Sequence, residues 1–292
     1  MAGGGIAMNL FKTTILLTGL TLILVLAGEY FGGTDGALMA FVLAAAMNFV
    51  SYFYSDKIAL SVYRAQPVTR EQLPRVYAVV ERLTGRAGIP MPRIYVIPTE
   101  SPNAFATGRN PDHASVAVTH GILALLNDDE LEGVLAHELS HVRNRDILTS
   151  SIAATLAGAI TILARMAFWF GAIGGGGDRR RGGGLGALFM LIFAPFAAML
   201  IQLWVSRTRE YEADASGAHL TGNPYALASA LQKISSASRQ LPLVASPNSA
   251  HLFIIAPLLS GETFASLFST HPPIQKRIER LIGRTSVLGN TR

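Results

Sequence analysis

Residues 134–146 read VLAHELSHVRNRD. His137 and His141 are four apart, and Glu138 directly follows the first. On an α-helix, residues i and i+4 lie one above the other on the same face. Two imidazoles so placed can meet one Zn²⁺ with bonds of about 2.0–2.1 Å. Glu138 sits about 100° round the helix from His137, near enough to reach a zinc-activated water without binding the metal. A carboxylate there takes a proton as water attacks a carbonyl and returns it to the leaving amine. A catalytic zinc keeps three protein ligands and one open position, so the pattern calls for a third ligand elsewhere. The stretch SRTREYEADASGAHL, residues 206–220, offers Glu210 and Asp214 at i and i+4. Alone they would read as a solvated acidic face. Downstream of His-Glu-x-x-His, Glu210 can complete the ligand set. Asp214 can accept a hydrogen bond from a ligand imidazole, fixing its tautomer and raising its basicity. The expectation is one Zn²⁺ per chain.

These residues need elements to hold them. Asn127 can cap the histidine helix, with Glu130 reaching back from the third position, and Leu131, Val134, Leu135, Leu139 and Val142 supply its buried stripe. Upstream, TREQLPRVYAVVERLTGRAG has apolar residues at helical spacing. Thr69 and Gln72 are placed for a capping box at its start. PRIYVIP reads as a short buried strand, and Ser115–Thr119 as a second. NAFATG, 103–108, falls between them and suits an edge strand. Pro273–Ile282 reads as an amphipathic helix that mainly packs.

The chain has 292 residues, of which 50% are hydrophobic and 15% charged, against a soluble norm of about 25% charged. Four apolar segments account for the excess, at about 8–28, 36–54, 149–174 and 186–205. Each approaches the roughly 20 residues of a spanning helix. EYFGGTD joins the first two as a hairpin; a cleaved leader is the weaker reading of segment one, because a second apolar run follows at once. The basic loop GGGDRRRGGG joins the other two. That pair either spans or dips in shallowly, since Arg165 lies within segment three. The histidines precede this pair and Glu210 follows it, so in either case the site stays on one side. The net charge of +5 gathers beside apolar runs and reads as membrane-facing, with no nucleic-acid partner. Lys57, Arg64 and Arg70 after segment two put the following region in the cytoplasm. The absence of cysteine excludes disulfides and thiolate ligands.

With those motifs in hand, the chain resembles the HtpX family of bacterial membrane zinc metalloproteases and, more distantly, the CAAX prenyl proteases. The likeness rests on two N-terminal apolar helices, NAFATG, HELSH, SRTREYEAD and STHPPIQKRIERL, in that order. It implies a helical membrane anchor plus an α+β zincin-like (gluzincin) protease domain, mainly α with a small sheet. Domain limits would be 1–55 for the hairpin, 56–148 for the first part of the protease domain, 149–205 for the second helix pair and 206–292 for the rest. His137, His141 and Glu210 would be zinc ligands, Glu138 the general base and Asp214 the carboxylate behind a ligand imidazole. Asn103 would lie in the substrate-aligning strand, and His271 and Arg277 near the cleft, on a substrate carbonyl or the oxyanion; His271 also suits a plain loop histidine. The implied protein is a multi-pass endopeptidase of the bacterial inner membrane, cytoplasm-facing, acting on misfolded membrane proteins as part of a stress response. Two other readings stay open: a membrane scaffold or chaperone with structural zinc, and a narrow-specificity CAAX-type processing protease. Oligomeric state is not legible. His113, His120, His219 and His251 have no partner at a ligand spacing and read as structural or exposed.

Overall fold

The computed structural model describes residues 2–148, 152, 207–240 and 272–283. Segment three apart from Ile152, segment four, their basic loop and His271 lie outside the described residues. The chain opens with α1 (Ala2–Val62), two helices merged across a kink at Gly33, whose φ of 61° and ψ of −151° suit a residue without a Cβ. The linker EYFGGTD is thereby reduced to a bend, and the two halves run antiparallel. A Cβ on Gly28 would collide with the Gly36 carbonyl oxygen, and one on Gly36 with that of Gly28. Deeper in the hairpin, Asn48 Nδ2 donates to Thr21 Oγ1 at 2.9 Å. Thr13, Ser51 and Ser55 are buried, while Phe11, Leu22, Leu26, Leu38, Met39, Phe41 and Val42 are exposed. Leu20, Leu24 and Ala44 are buried as well, but the many large apolar side chains left outside are the arrangement for a lipid environment, where exposing them costs nothing. The Gly32–Val62 half is long and apolar enough to cross a bilayer.

A small mixed sheet follows. β1 (Gln66–Pro67), β2 (Arg93–Ile97), β3 (Ala104–Gly108) and β4 (Ala114–Thr119) lie in the order β1-β2-β4-β3. β2 and β4 are parallel; β1 against β2 and β3 against β4 are antiparallel. NAFATG thus forms an edge strand. One sheet face packs Ile94, Ala104, Ala106, Val116 and Val118 against the helical core. The other packs Ile97, Phe105 and Ala117 against Ala59 and Leu60 at the end of α1.

α2 (Pro74–Ala87) begins later than its sequence suggests. Gln72 Oε1 does accept the Thr69 N–H at 2.8 Å, but that bond closes a preceding turn. Leu73, forced out of the helical region by the proline that follows it, becomes the N-cap at φ −136°. After a short α3 (His120–Leu125), α4 (Asp128–Arg143) carries the complete Asn127/Glu130 capping box. α5 (Arg207–Thr221), α6 (Pro224–Gln240) and α7 (Ile274–Ile282) complete the described elements. α5, α6, α2 and β3 all pack on α4.

Candidate metal centre

α4 is held from several sides because its apolar stripe, Leu131, Val134, Leu135, Leu139 and Val142, is buried throughout. Its N-terminus is fixed as well: Glu130 accepts from Ser229 at 2.7 Å and from Lys233 at 2.8 Å, both on α6. That rigidity fixes His137 and His141. Their rings are perpendicular and their Nε2 atoms are 3.2 Å apart.

α5 supplies the carboxylates. Glu210, Asp214 and Gly217 follow one another along the helix by one turn each and share a face. At Gly217 the two helices nearly touch: a Cβ there would stand 2.9 Å from the His137 backbone nitrogen and 3.1 Å from its Cα. The close approach carries Glu210 to the histidines, Oε2 lying 3.8 Å from His137 Nε2 and Oε1 3.7 Å from His141 Nε2. Among the described residues, His137, His141 and Glu210 offer donor atoms all within 4.8 Å of one another.

Those spacings fit one zinc ion. Two bonds of about 2.0–2.1 Å at a tetrahedral angle separate their donors by about 3.3–3.4 Å, close to the 3.2, 3.7 and 3.8 Å seen. Charge points the same way. Glu138, Glu210, Asp214 and Asp146 are buried, and Arg277 is fully buried with them; Arg209 lies within electrostatic reach of Asp146 and Glu210. Four carboxyl groups gathered with two imidazoles around only two guanidiniums give the acidic surround in which a buried divalent cation finds its counter-charge. When bound, zinc is a Lewis acid that makes water nucleophilic at neutral pH.

Both imidazoles present Nε2 to the centre because both Nδ1 atoms are engaged. Asp214 Oδ1 lies 3.0 Å from His137 Nδ1, and Asp146 Oδ2 lies 3.0 Å from His141 Nδ1. Burial pushes the Asp214 carboxyl up, but Arg277 and His137 outweigh it and hold it at about 2. Burial opposes protonation of His141; Asp146, Glu210 and Glu138 override that and raise it to about 10 in the metal-free protein. A metal ion must therefore displace a proton there. Glu138 is raised chiefly by burial, against the pull of His137 and His141. Its Oε2 accepts the Ala106 N–H of β3 at 3.0 Å, which ties it to the sheet edge.

Of the other expected residues, Asn103 is buried immediately before β3, where its N–H donates to Thr119 Oγ1 at 2.9 Å and its C=O accepts the Thr119 N–H at 3.0 Å. Arg277, expected on the substrate, is 0% exposed. Its Nε and Nη2 donate to Asp214 at 2.8 and 2.7 Å, and Nη2 lies 3.4 Å from His137 Nε2. Sequence reasoning missed Asp146, Gly217, Arg209 and the Ala106 N–H. Asp146 is five residues past His141, beyond the i+4 spacing, and the chain returns it through Arg145 at φ 57°.

Comparison with known proteins gives many relatives. The model of Peptidase family M48 matches residues 70–285. "Protease HtpX homolog" of Syntrophobacter fumaroxidans is 56% identical over 277 residues, covering 93% of this chain and 98% of that one. The protein of the same description from Desulfatibacillum aliphaticivorans is 54% identical over 278 residues, covering 94% and 89%. That from Thermococcus sibiricus is 52% identical over 275, covering 92% and 94%. Among solved structures, the crystal structure of S. mikatae Ste24p matches with a TM-score of 0.54 at 19% identity, covering 94% of this chain and 65% of that one, a likeness of fold.

Proposed function

This chain belongs to peptidase family M48, and from that premise we propose a membrane-anchored zinc endopeptidase that hydrolyses peptide bonds in unfolded or damaged membrane proteins at the cytoplasmic face. The observation that carries the reading is the convergence of His137, His141 and Glu210 beside Glu138. His137, His141 and Glu210 would hold one Zn²⁺, with Asp214 and Asp146 fixing the two imidazoles through Nδ1. Glu138 takes the proton of the attacking water and delivers it to the leaving amine. Burial raises its pKa, which suits a carboxylate that must accept a proton and then pass it on. The same carboxylate is anchored by Ala106, so proton transfer occurs against the edge of β3. Asn103 and β3 would align an extended substrate by backbone hydrogen bonds, a mode that reads main chain more than side chain and suits broad specificity. Arg277 would act through Asp214, as a positioning residue.

A scaffold built around structural zinc would call for four protein ligands; among the described residues the cluster has three. The deciding experiment measures zinc content and cleavage of unfolded casein by the detergent-solubilised protein, wild type beside Glu138→Gln. One zinc in each, with cleavage by wild type alone, is the expected result. Equal cleavage by both removes Glu138 from the chemistry, and a folded wild type without zinc overturns the reading.

A further inference from the structure

The end of the anchor packs directly against the sheet that borders the candidate active site. α1 continues through residue 62 with non-helical backbone only at Gly33. Ala59 and Leu60 share a packed cluster with Phe105 of β3, and the Tyr63 and Phe105 rings lie 5.5 Å apart. Three residues past Ala106, the Arg109 guanidinium sits 5.7 Å from the Phe53 ring, in the last turn of the second apolar segment. β3 and the residue just past it are thus fixed at two points to the end of the second apolar segment, where the sequence puts the anchor's exit from the bilayer. Lys57, the first cation after that segment, reaches back over the Tyr54 ring at 5.1 Å, as expected of an interfacial lysine.

Those contacts set a distance. Ala59 is five helical residues beyond Tyr54, about 7.5 Å, which is about the depth of one headgroup layer. Ala106, which binds Glu138, is three strand residues from Arg109, at most about 10 Å. With the Arg109 side chain reaching about 6 Å and Glu138 3.0 Å from the Ala106 nitrogen, the proton-transferring carboxylate stands within about 25 Å of the Phe53 ring, a span that at most about eight extended residues cover. We propose, resting on the endopeptidase reading above, that the favoured substrate is the juxtamembrane segment of a polypeptide emerging from the bilayer, and that the α1–β3 junction measures the cleavage position from the membrane surface.

The test uses the full-length zinc protein in phosphatidylethanolamine–phosphatidylglycerol vesicles, together with a single-span substrate bearing a long, unstructured tail of repeating sequence. Cuts mapped by mass spectrometry should fall within about the first eight tail residues. Cuts spread evenly along the tail overturn the proposal. A seven-residue helical insertion between Asp56 and Lys57 nearly preserves the helix face and lengthens the anchor by about 10 Å. It should move the cuts outward by about three residues; unmoved cuts also overturn the proposal. Casein separates the two readings. If wild type cuts casein but ignores tail position, the measuring device is lost and the protease stands. If wild type cuts neither substrate, the protease reading fails and takes the device with it. If the insertion alone abolishes casein cleavage, the variant has misfolded and the wild-type map decides.

Discussion

Each candidate ligand histidine leans on a carboxylate, but the two supports are not equally secure. Asp214 is gripped by two bonds from Arg277, and that guanidinium has no solvent to fall back on. Removing one member of such a buried pair leaves the other uncompensated, at a cost of about 3–5 kcal/mol. Loss of a carboxylate behind a ligand imidazole typically weakens metal binding about 10–100-fold. Arg277→Met should therefore lower both zinc affinity and thermal stability, and Asp214→Asn in the same background should cost much less than it does alone. Chelator competition and thermal unfolding of the four proteins in that cycle test this; additive losses would separate Arg277 from Asp214. Asp146 depends instead on Arg145 holding a left-handed backbone, a conformation costing about 1–2 kcal/mol outside glycine. Arg145→Gly should stabilise the protein by up to about 1 kcal/mol with zinc affinity unchanged, whereas Asp146→Ala should weaken zinc and also destabilise the metal-free protein, because it leaves the largely buried His141 and Arg209 without that carboxylate.

At the scale of elements, the site depends on how closely α5 approaches α4. Gly217 has no side chain because His137's own backbone occupies that space. Gly217→Ala would improve helix propensity by about 1 kcal/mol in isolation, yet the added methyl must push α5 off α4 and carry Glu210 from the histidines. The expected outcome is weaker zinc binding and an altered visible spectrum of the cobalt-substituted protein; an unchanged spectrum would show the helices can absorb the methyl. The other end of α4 offers a pH test. Burial raises Glu130, but Lys233, Ser229 and the Asn127 N–H outweigh it, so its pKa is lowered on folding. A lowered carboxyl contributes stability above its unfolded value near 4.5 and loses it as pH falls through the folded value. Lys233 is partly exposed, so Lys233→Met should cost only about 1 kcal/mol at pH 7, a difference that disappears once Glu130 is protonated. This helix was legible in advance because its cap, stripe and histidines all obey one 3.6-residue period. α2 was legible except at its start, where Pro74 overrode the Thr69–Gln72 signal. The edge position of β3 was a fair reading of NAFATG, but no residue type marks a backbone N–H, so the Ala106–Glu138 bond had no signature to find. Gly217 had one that misleads, since glycine within a helix usually reads only as weakness.

For the whole molecule, the decisive fact is that α4 and α5 are separated in sequence by residues 144–206, which include apolar segments three and four. Their meeting was inferable because two histidines without a third ligand make an incomplete zinc site, and Glu210 with Asp214 was the pair that could complete it. The junction of anchor and sheet was not inferable, because Ala59, Leu60 and Phe105 are ordinary apolar residues whose partners only the fold reveals. These two features imply different responses to metal removal. Zinc bound to the native state but not the unfolded chain stabilises by about 2.7–4.1 kcal/mol at 100–1,000 times its dissociation constant, so chelation should lower Tm on the order of 5–15 °C. The loss should be local. α5 and α7 meet α4 at the candidate ligands and at Arg277, so their amide exchange should rise most after chelation. The α1–β3 cluster contains no ligand and should keep its protection. Glu138→Gln, which retains all three donors, should show the same Tm drop, while Glu210→Gln should begin low and respond little. Hydrogen exchange read by mass spectrometry with and without chelator distinguishes these cases; uniform loss of protection across sheet and hairpin would mean that the ion stabilises the entire fold and that anchor and sheet have no metal-independent union.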